Sequence, residues 1–224
     1  MRSMDWPRVF SLLAHELRSP AGVIAGYARM LSEGRLTSDD QLQAFAQIER
    51  AAGRITTISR QASDLSRWLG PEMDGASPVP VAELMTRAVA QSATPARVTI
   101  DATPEANALN LPAIDRAALT AAIAAAVDAV CREVTDGGVV ISPRVDGDDA
   151  ACDILIGSAT ALAALPEHPS RDPSVTQWSA DGSGMGLALV LGAVVVLAHG
   201  GQLCSFGGRR DVLAIRLRMH TEGV

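Results

Sequence analysis

Two apolar stripes of helical period, separated by a glycine-containing turn, constrain this chain more than any other feature. In the first, Leu13, Leu17, Pro20, Ile24, Tyr27 and Leu31 alternate spacings of four and three, the pattern of a seam between packed helices. In the second, Phe45, Ile48, Ala52, Ile55, Ile58, Ala62, Leu65 and Leu69 are spaced by threes and fours over about seven turns. Helix one runs from about Asp5 to Leu31. Helix two starts near Ser38, where Ser38 with Gln41 forms a capping-box signature. Gly34 supplies the flexible position of the turn. Two long amphipathic helices with so short a connection make an antiparallel hairpin. Such a hairpin leaves apolar surface open, and pairing with a second chain into a four-helix bundle closes it.

His15 lies two residues from both Leu13 and Leu17, which turns it roughly 200° from the seam at ~100° per residue. The imidazole is thus presented outward. Near neutral pH an exposed imidazole is largely uncharged and nucleophilic, and Glu16 beside it can accept the proton released when the ring attacks phosphorus. Pro20 has no N–H for the carbonyl of Glu16 and crowds it, so a bend is expected one turn after His15.

The stretch His15-Glu16-Leu17-Arg18-Ser19-Pro20 resembles the H-box of histidine kinases, and the stripes after it resemble that family's dimerisation helix pair, which ends here at Asp64-Leu65-Ser66-Arg67. The resemblance implies that His15 is the phospho-acceptor, that Glu16 is the acid/base residue, and that an aspartate on a response-regulator receiver domain exchanges phosphoryl groups with His15. Ser19 stands where many members carry Thr or Asn to position a water for dephosphorylating the regulator.

Of 224 residues, 48% are hydrophobic, enough for one or two packed domains. Every basic residue is arginine, and the net charge of −6 argues against broad nucleic-acid binding, which needs a basic face. Cys131, Cys152 and Cys204 are odd in number and widely spaced, as expected of reduced, buried thiols in a cytoplasmic protein. No metal-site spacing joins the four histidines to them. Leu187 to Ala198 is the longest apolar run, too short to span a bilayer, so no membrane insertion is expected. With almost nothing before the H-box, input is expected from a partner such as an upstream sensor kinase.

The expected organisation is a dimerisation and phospho-acceptor domain over 1–70, a Gly/Pro/Ser-rich linker over 71–80, and a mixed helix–strand domain over 81–224. Helices are expected at Val81–Ala90 and Ala117–Arg132, and strands at Arg97–Ile100, Gly138–Ser142 and Cys152–Ile156. A Gly-rich loop from Ala180 to Gly186 runs into a helix ending at Gly200-Gly201, and a final hairpin turns at Gly207-Gly208. The fold class is α+β. The resemblance adds that this second domain is an α/β sandwich of the histidine-kinase ATPase type.

Asp181-Gly182-Ser183-Gly184-Met185-Gly186 lets the backbone approach a phosphate closely ahead of a helix N-terminus. It resembles the family's second glycine box, which makes Gly182, Gly184 and Gly186 candidate nucleotide-binding residues, with ATP and Mg²⁺ as the implied cofactors. Two other boxes depart from the pattern. In the helix that stands for the N-box, Ala125 and Ala129 fall where asparagines are usual, and Asp128 is the one side chain able to ligate magnesium. Where the family has Asp-x-Gly-x-Gly, the chain reads Gly157-Ser158-Ala159-Thr160-Ala161-Leu162. It lacks the acid that reads adenine, a loss on the order of 1–3 kcal/mol. The lid from Pro166 to Ala180 has Trp178 as its only aromatic residue. The expectation is a histidine phosphotransferase with a degenerate kinase body. The alternatives are an autophosphorylating histidine kinase and a non-catalytic binding module. His168, His199, His220 and Arg209-Arg210 read as loop, cap, tail and turn residues.

Overall fold

The structure, a computed structural model, describes residues 6–68, 77–146, 151–166, 175–177, 187–207 and 209–218. It divides into two compact units, Met1–Arg67 and Trp68–Val224.

The first unit is a helical hairpin of α1 (Trp6–Ser32) and α2 (Ser38–Trp68). Gly34 adopts a φ of +63°, which a side chain disfavours. Around it Gly34 N–H donates to Leu31 C=O and Arg35 N–H donates to Met30 C=O, closing α1 in a Schellman motif. The cap of α2 falls one residue earlier than the sequence signature. Thr37 Oγ1 accepts the Asp40 N–H and donates to Asp40 Oδ2 at 2.6 Å, so Thr37 caps the helix and Ser38 is its first residue.

The second unit is built on a six-stranded sheet in the order β2-β4-β5-β8-β7-β6. Its strands are β2 (Val98–Ile100), β4 (Val139–Asp146), β5 (Ala151–Ser158), β6 (Val175–Gln177), β7 (Gln202–Phe206) and β8 (Val212–Arg218). Only the β2–β4 pair is parallel. A separate antiparallel ribbon joins β1 (Ser77–Pro80) to β3 (Asn110–Ile114), so a strand stands at the end of the stretch that reads as linker. Prolines at 78, 80 and 112 mask both of its strands in sequence, because proline suits only sheet margins. The lid stretch likewise contributes the edge strand β6.

The helices are α3 (Val81–Gln91), α4 (Pro104–Asn107), α5 (Arg116–Glu133), α6 (Ala159–Ala163) and α7 (Leu187–Ala198). Ile141, Ile154, Ile156, Leu213, Ile215 and Leu217 from the sheet share a core with Leu84, Met85, Leu119, Ile123 and Val127 from α3 and α5. Small residues let α5 and α7 approach closely: a Cβ on Gly192 would lie 3.2 Å from the Ala122 carbonyl. A second Schellman cap, with Gly200 at φ +74°, ends α7. The opposite sheet face carries a smaller core of Leu155, Ala161, Leu162, Phe206, Val212 and Ala214. The architecture is therefore mixed α+β, with two N-terminal helices ahead of a helix-covered sheet. Among the described residues no helix is long and apolar enough to cross a membrane.

Candidate functional site

The chemistry-bearing residues of α1 occupy different faces of one helix. Pro20 is buried, and α1 continues through it as one helix from Trp6 to Ser32. Val9, Ala44, Ala51 and Ile58 are also buried and form the seam with Pro20. The seam of α2 therefore runs through Ala44, Ile48, Ala51, Ile55 and Ile58. Phe45 and Ala52, which the sequence stripe assigns to it, are exposed. On α1, Leu13, Ile24, Tyr27 and Leu31 are only half-buried and Leu17 is exposed.

His15 and Ser19 are exposed and Glu16 is half-buried. Neighbouring helix positions diverge by about 100°, so His15 stays outside while Glu16 turns toward α2. There Arg54 Nη2 donates to Glu16 Oε2 at 2.8 Å. Arg54 is absent from the sequence reading because an arginine beside an apolar stripe has no distinguishing signal. The turn register alone brings residue 54 opposite residue 16. The constellation of an exposed imidazole, an adjacent carboxylate and a bridging guanidinium can carry nucleophilic attack with local proton acceptance.

The candidate nucleotide residues of the second unit lie apart. Asp128 Oδ1 accepts the Ala93 N–H at 2.8 Å, so this carboxylate ties α5 to the chain leaving α3. Burial pushes its carboxyl above the ordinary aspartate range, while the Ala93 bond and Arg132 pull the other way. Ala129 is fully buried in the core and Ala125 is half-buried. At the first glycine box, Ser158 Oγ accepts the Ala161 N–H and caps α6. Ala161 and Leu162 are then buried against Leu155, Phe206 and Val212. Gly157 and Ser158, where the resemblance would place the acid that reads adenine, carry no carboxylate. Ala161 and Leu162, where it would place the last glycine, are packed side chains, and a Cβ on Gly157 would meet Leu162 at 3.1 Å. These residues do not fit an adenine nucleotide. Gly182, Gly184 and Gly186 lie outside the described residues, as do His168, Trp178 and His220.

The remaining residues are structural. Asp115 N–H donates to His199 Nε2 at 3.1 Å, and His199 Nδ1 lies 2.7 Å from the Val195 carbonyl. The backbone N–H can only donate, so Nδ1 carries the ring proton and the neutral imidazole joins the end of α7 to the start of α5. Arg209 forms a two-pronged pair with Asp211, which holds the Asp211 carboxyl below the usual range. All three cysteines are buried and unpaired. Burial pushes the Cys152 thiol up to about 12 and that of Cys204 up to about 11, leaving both unreactive. Among the described residues no group of three His, Cys, Asp or Glu side chains converges to hold a metal ion.

Residues 8–70 match the family model of the His Kinase A (phospho-acceptor) domain. In fold the chain is similar to the Acinetobacter baumannii histidine kinase AdeS, with a TM-score of 0.61 at 17% identity over 92% of this chain and 98% of that one. It is also similar to the histidine kinase ThkA, solved in complex with the response regulator protein TrrA, with a TM-score of 0.60 at 14% identity. That match covers 97% of this chain and 63% of ThkA. No curated protein matches the sequence.

Proposed function

With a His Kinase A phospho-acceptor domain over residues 8–70 as the premise, we propose that the chain is a two-component histidine phosphotransferase whose kinase-like body no longer uses ATP. The observation that carries this reading is the first glycine box, where a Ser158-capped turn buries Leu162 in a core. A phosphoryl group then has to reach His15 from another phosphoprotein. The fitting donor is the acyl phosphate of a receiver-domain aspartate, since the ThkA relative was solved with a response regulator.

In the transfer step a lone pair on the neutral His15 ring attacks phosphorus. The N–P bond forms as the P–O bond to the donor aspartate breaks, and the aspartate leaves as a carboxylate. The proton on the second ring nitrogen passes to Glu16. Reversal onto a second receiver completes a relay. Exposed Ser19 can hold a water one turn away, which supports a weak hydrolytic side reaction. A second copy of the chain covers the open hairpin face, where Phe10, Leu42 and Phe45 are exposed, as a four-helix homodimer in the cytoplasm.

The test is phosphoryl labelling of the full chain and of His15→Ala. One arm supplies labelled ATP with Mg²⁺, the other a labelled receiver domain. Labelling from the receiver alone, dependent on His15, is the expected result. Label from ATP that requires His15 overturns the reading in favour of an autophosphorylating kinase, in which Asp128 and Gly182, Gly184 and Gly186 become the residues to substitute. Absence of label in both arms, across a panel of receivers, favours a binding module.

A further inference from the structure

Glu16 and Arg54 pair only with each other among the described residues, at 2.8 Å. Arg54 is 59% exposed in its side chain, so the arm turns without unpacking a core. One of its five donors is engaged at Glu16. His15 is one residue from Glu16, a rise of about 1.5 Å along α1, so it stands at the level of Arg54 across the hairpin.

Phosphoryl transfer rearranges charge at this level. Before it, Arg54 pairs with Glu16 and His15 carries no phosphoryl group. After it, the proton from the ring has passed by way of Glu16 to solvent, and a dianionic phosphoryl group sits on the neighbouring residue. The guanidinium, paired with a singly charged carboxylate, now has a doubly charged group within one turn of that partner. Arginine is the side chain best suited to accept that exchange, because its planar fork matches phosphoryl oxygens in two-pronged geometry.

We propose that Arg54 passes from Glu16 to the phosphoryl group on His15 and is a phosphoryl-binding residue of the phosphorylated protein. The inference rests on the phospho-acceptor reading of His15. It goes beyond that reading by assigning α2 a direct part in holding the transferred group.

The experiment measures the equilibrium between a phosphorylated receiver domain and the full chain, as the fraction of label on His15. It compares wild type, Arg54→Ala, Arg54→Gln and Arg54→Lys, with helix content followed by circular dichroism. Arg54→Ala and Arg54→Gln are expected to lower the equilibrium constant for loading His15 by about three- to tenfold, the range for a charge-assisted contact at a partly exposed site. Arg54→Lys keeps the charge without the fork and is expected to stay within about threefold of wild type. A purely structural role would not shift the balance between two phosphoproteins once each variant is folded. If Arg54→Ala unfolds, Arg54→Gln carries the test, since it keeps most of the stem. Loading of the folded neutral variants equal to wild type overturns the Arg54 inference and leaves the phospho-acceptor reading standing. Failure of wild type to take label from any receiver overturns both.

Discussion

The hairpin and the sandwich treat apolar surface in opposite ways. Among the described residues of the hairpin six large apolar side chains are exposed: Phe10, Leu17, Val23, Met30, Leu42 and Phe45. In the second unit Ile100 alone is in that class among the described residues. Among the described residues the sandwich covers its large apolar side chains, and Leu162 and Ala129, at positions that stand for nucleotide boxes, are both packed. The hairpin keeps its chemistry at the surface and its seam half-covered. Ala161 and Leu162, in the stretch that stands for the first glycine box, are packed into a core, while His15 and Ser19 stay exposed. The proposed phosphotransferase needs only the first of these two arrangements, an accessible His15, which makes the contrast open to test.

The largest test of that contrast is His15→Ala, expected to abolish labelling by a phosphorylated receiver while leaving thermal unfolding unchanged, since the side chain is exposed. Residual label above background would move the acceptor elsewhere. Next comes Leu162→Ala, expected to cost about 2–4 kcal/mol in urea unfolding and to speed hydrogen exchange in β5, α6, β7 and β8 but not in α1 or α2. Exchange that quickens equally in the hairpin would break the division into two units. Gly34→Ala places a side chain at φ +63° and is expected to cost about 1 kcal/mol, read as faster exchange in the last turn of α1 and the first of α2.

The smallest effect concerns Asp128. Its carboxyl is raised by burial, so the folded protein keeps this proton at pH values where the unfolded chain has lost it. The contribution of Asp128 to stability is thus greatest at low pH and falls as pH rises through its folded titration point. Asp128→Asn retains an oxygen for the Ala93 N–H and removes that slope. Because the carboxyl is half-exposed, screening limits the effect to less than about 1 kcal/mol. Urea melts of the two proteins between about pH 4 and 7 check it: the wild-type minus variant difference should fall with pH, and a flat or rising difference would place no burial cost on Asp128.

Legibility in sequence followed the strength of local signals. The hairpin was readable because leucine and isoleucine recur over many turns and Gly34 punctuates them. The seam of α2 slipped by one residue at Phe45 and Ala52 because alanine is apolar wherever it stands, so Ala44 and Ala51 looked no different from their neighbours. The β1–β3 ribbon was hidden by its prolines, and β6 by being three residues long. In α5 the stripe of Leu119, Ile123 and Val127 was visible, but burial of Ala118, Ala122, Ala126 and Ala129 on the remaining faces depends on how closely α3 and α7 approach. At the site, His15 and Glu16 were marked by their neighbours. Arg54 was not, because its role depends on register across a turn rather than on spacing along one helix.

That register limits how the hairpin can lengthen. The Glu16–Arg54 bridge spans two arms joined only at the Gly34 turn, so one residue added to α2 before Arg54 rotates the guanidinium by about 100° and lifts it by about 1.5 Å. Matched additions of about seven residues to each arm return both side chains to the same level and facing. Insertions and deletions within the two helices between Glu16 and Arg54 are therefore tolerable only as paired heptads, and single-residue insertions there would lose the bridge while those before Glu16 or after Arg54 would keep it.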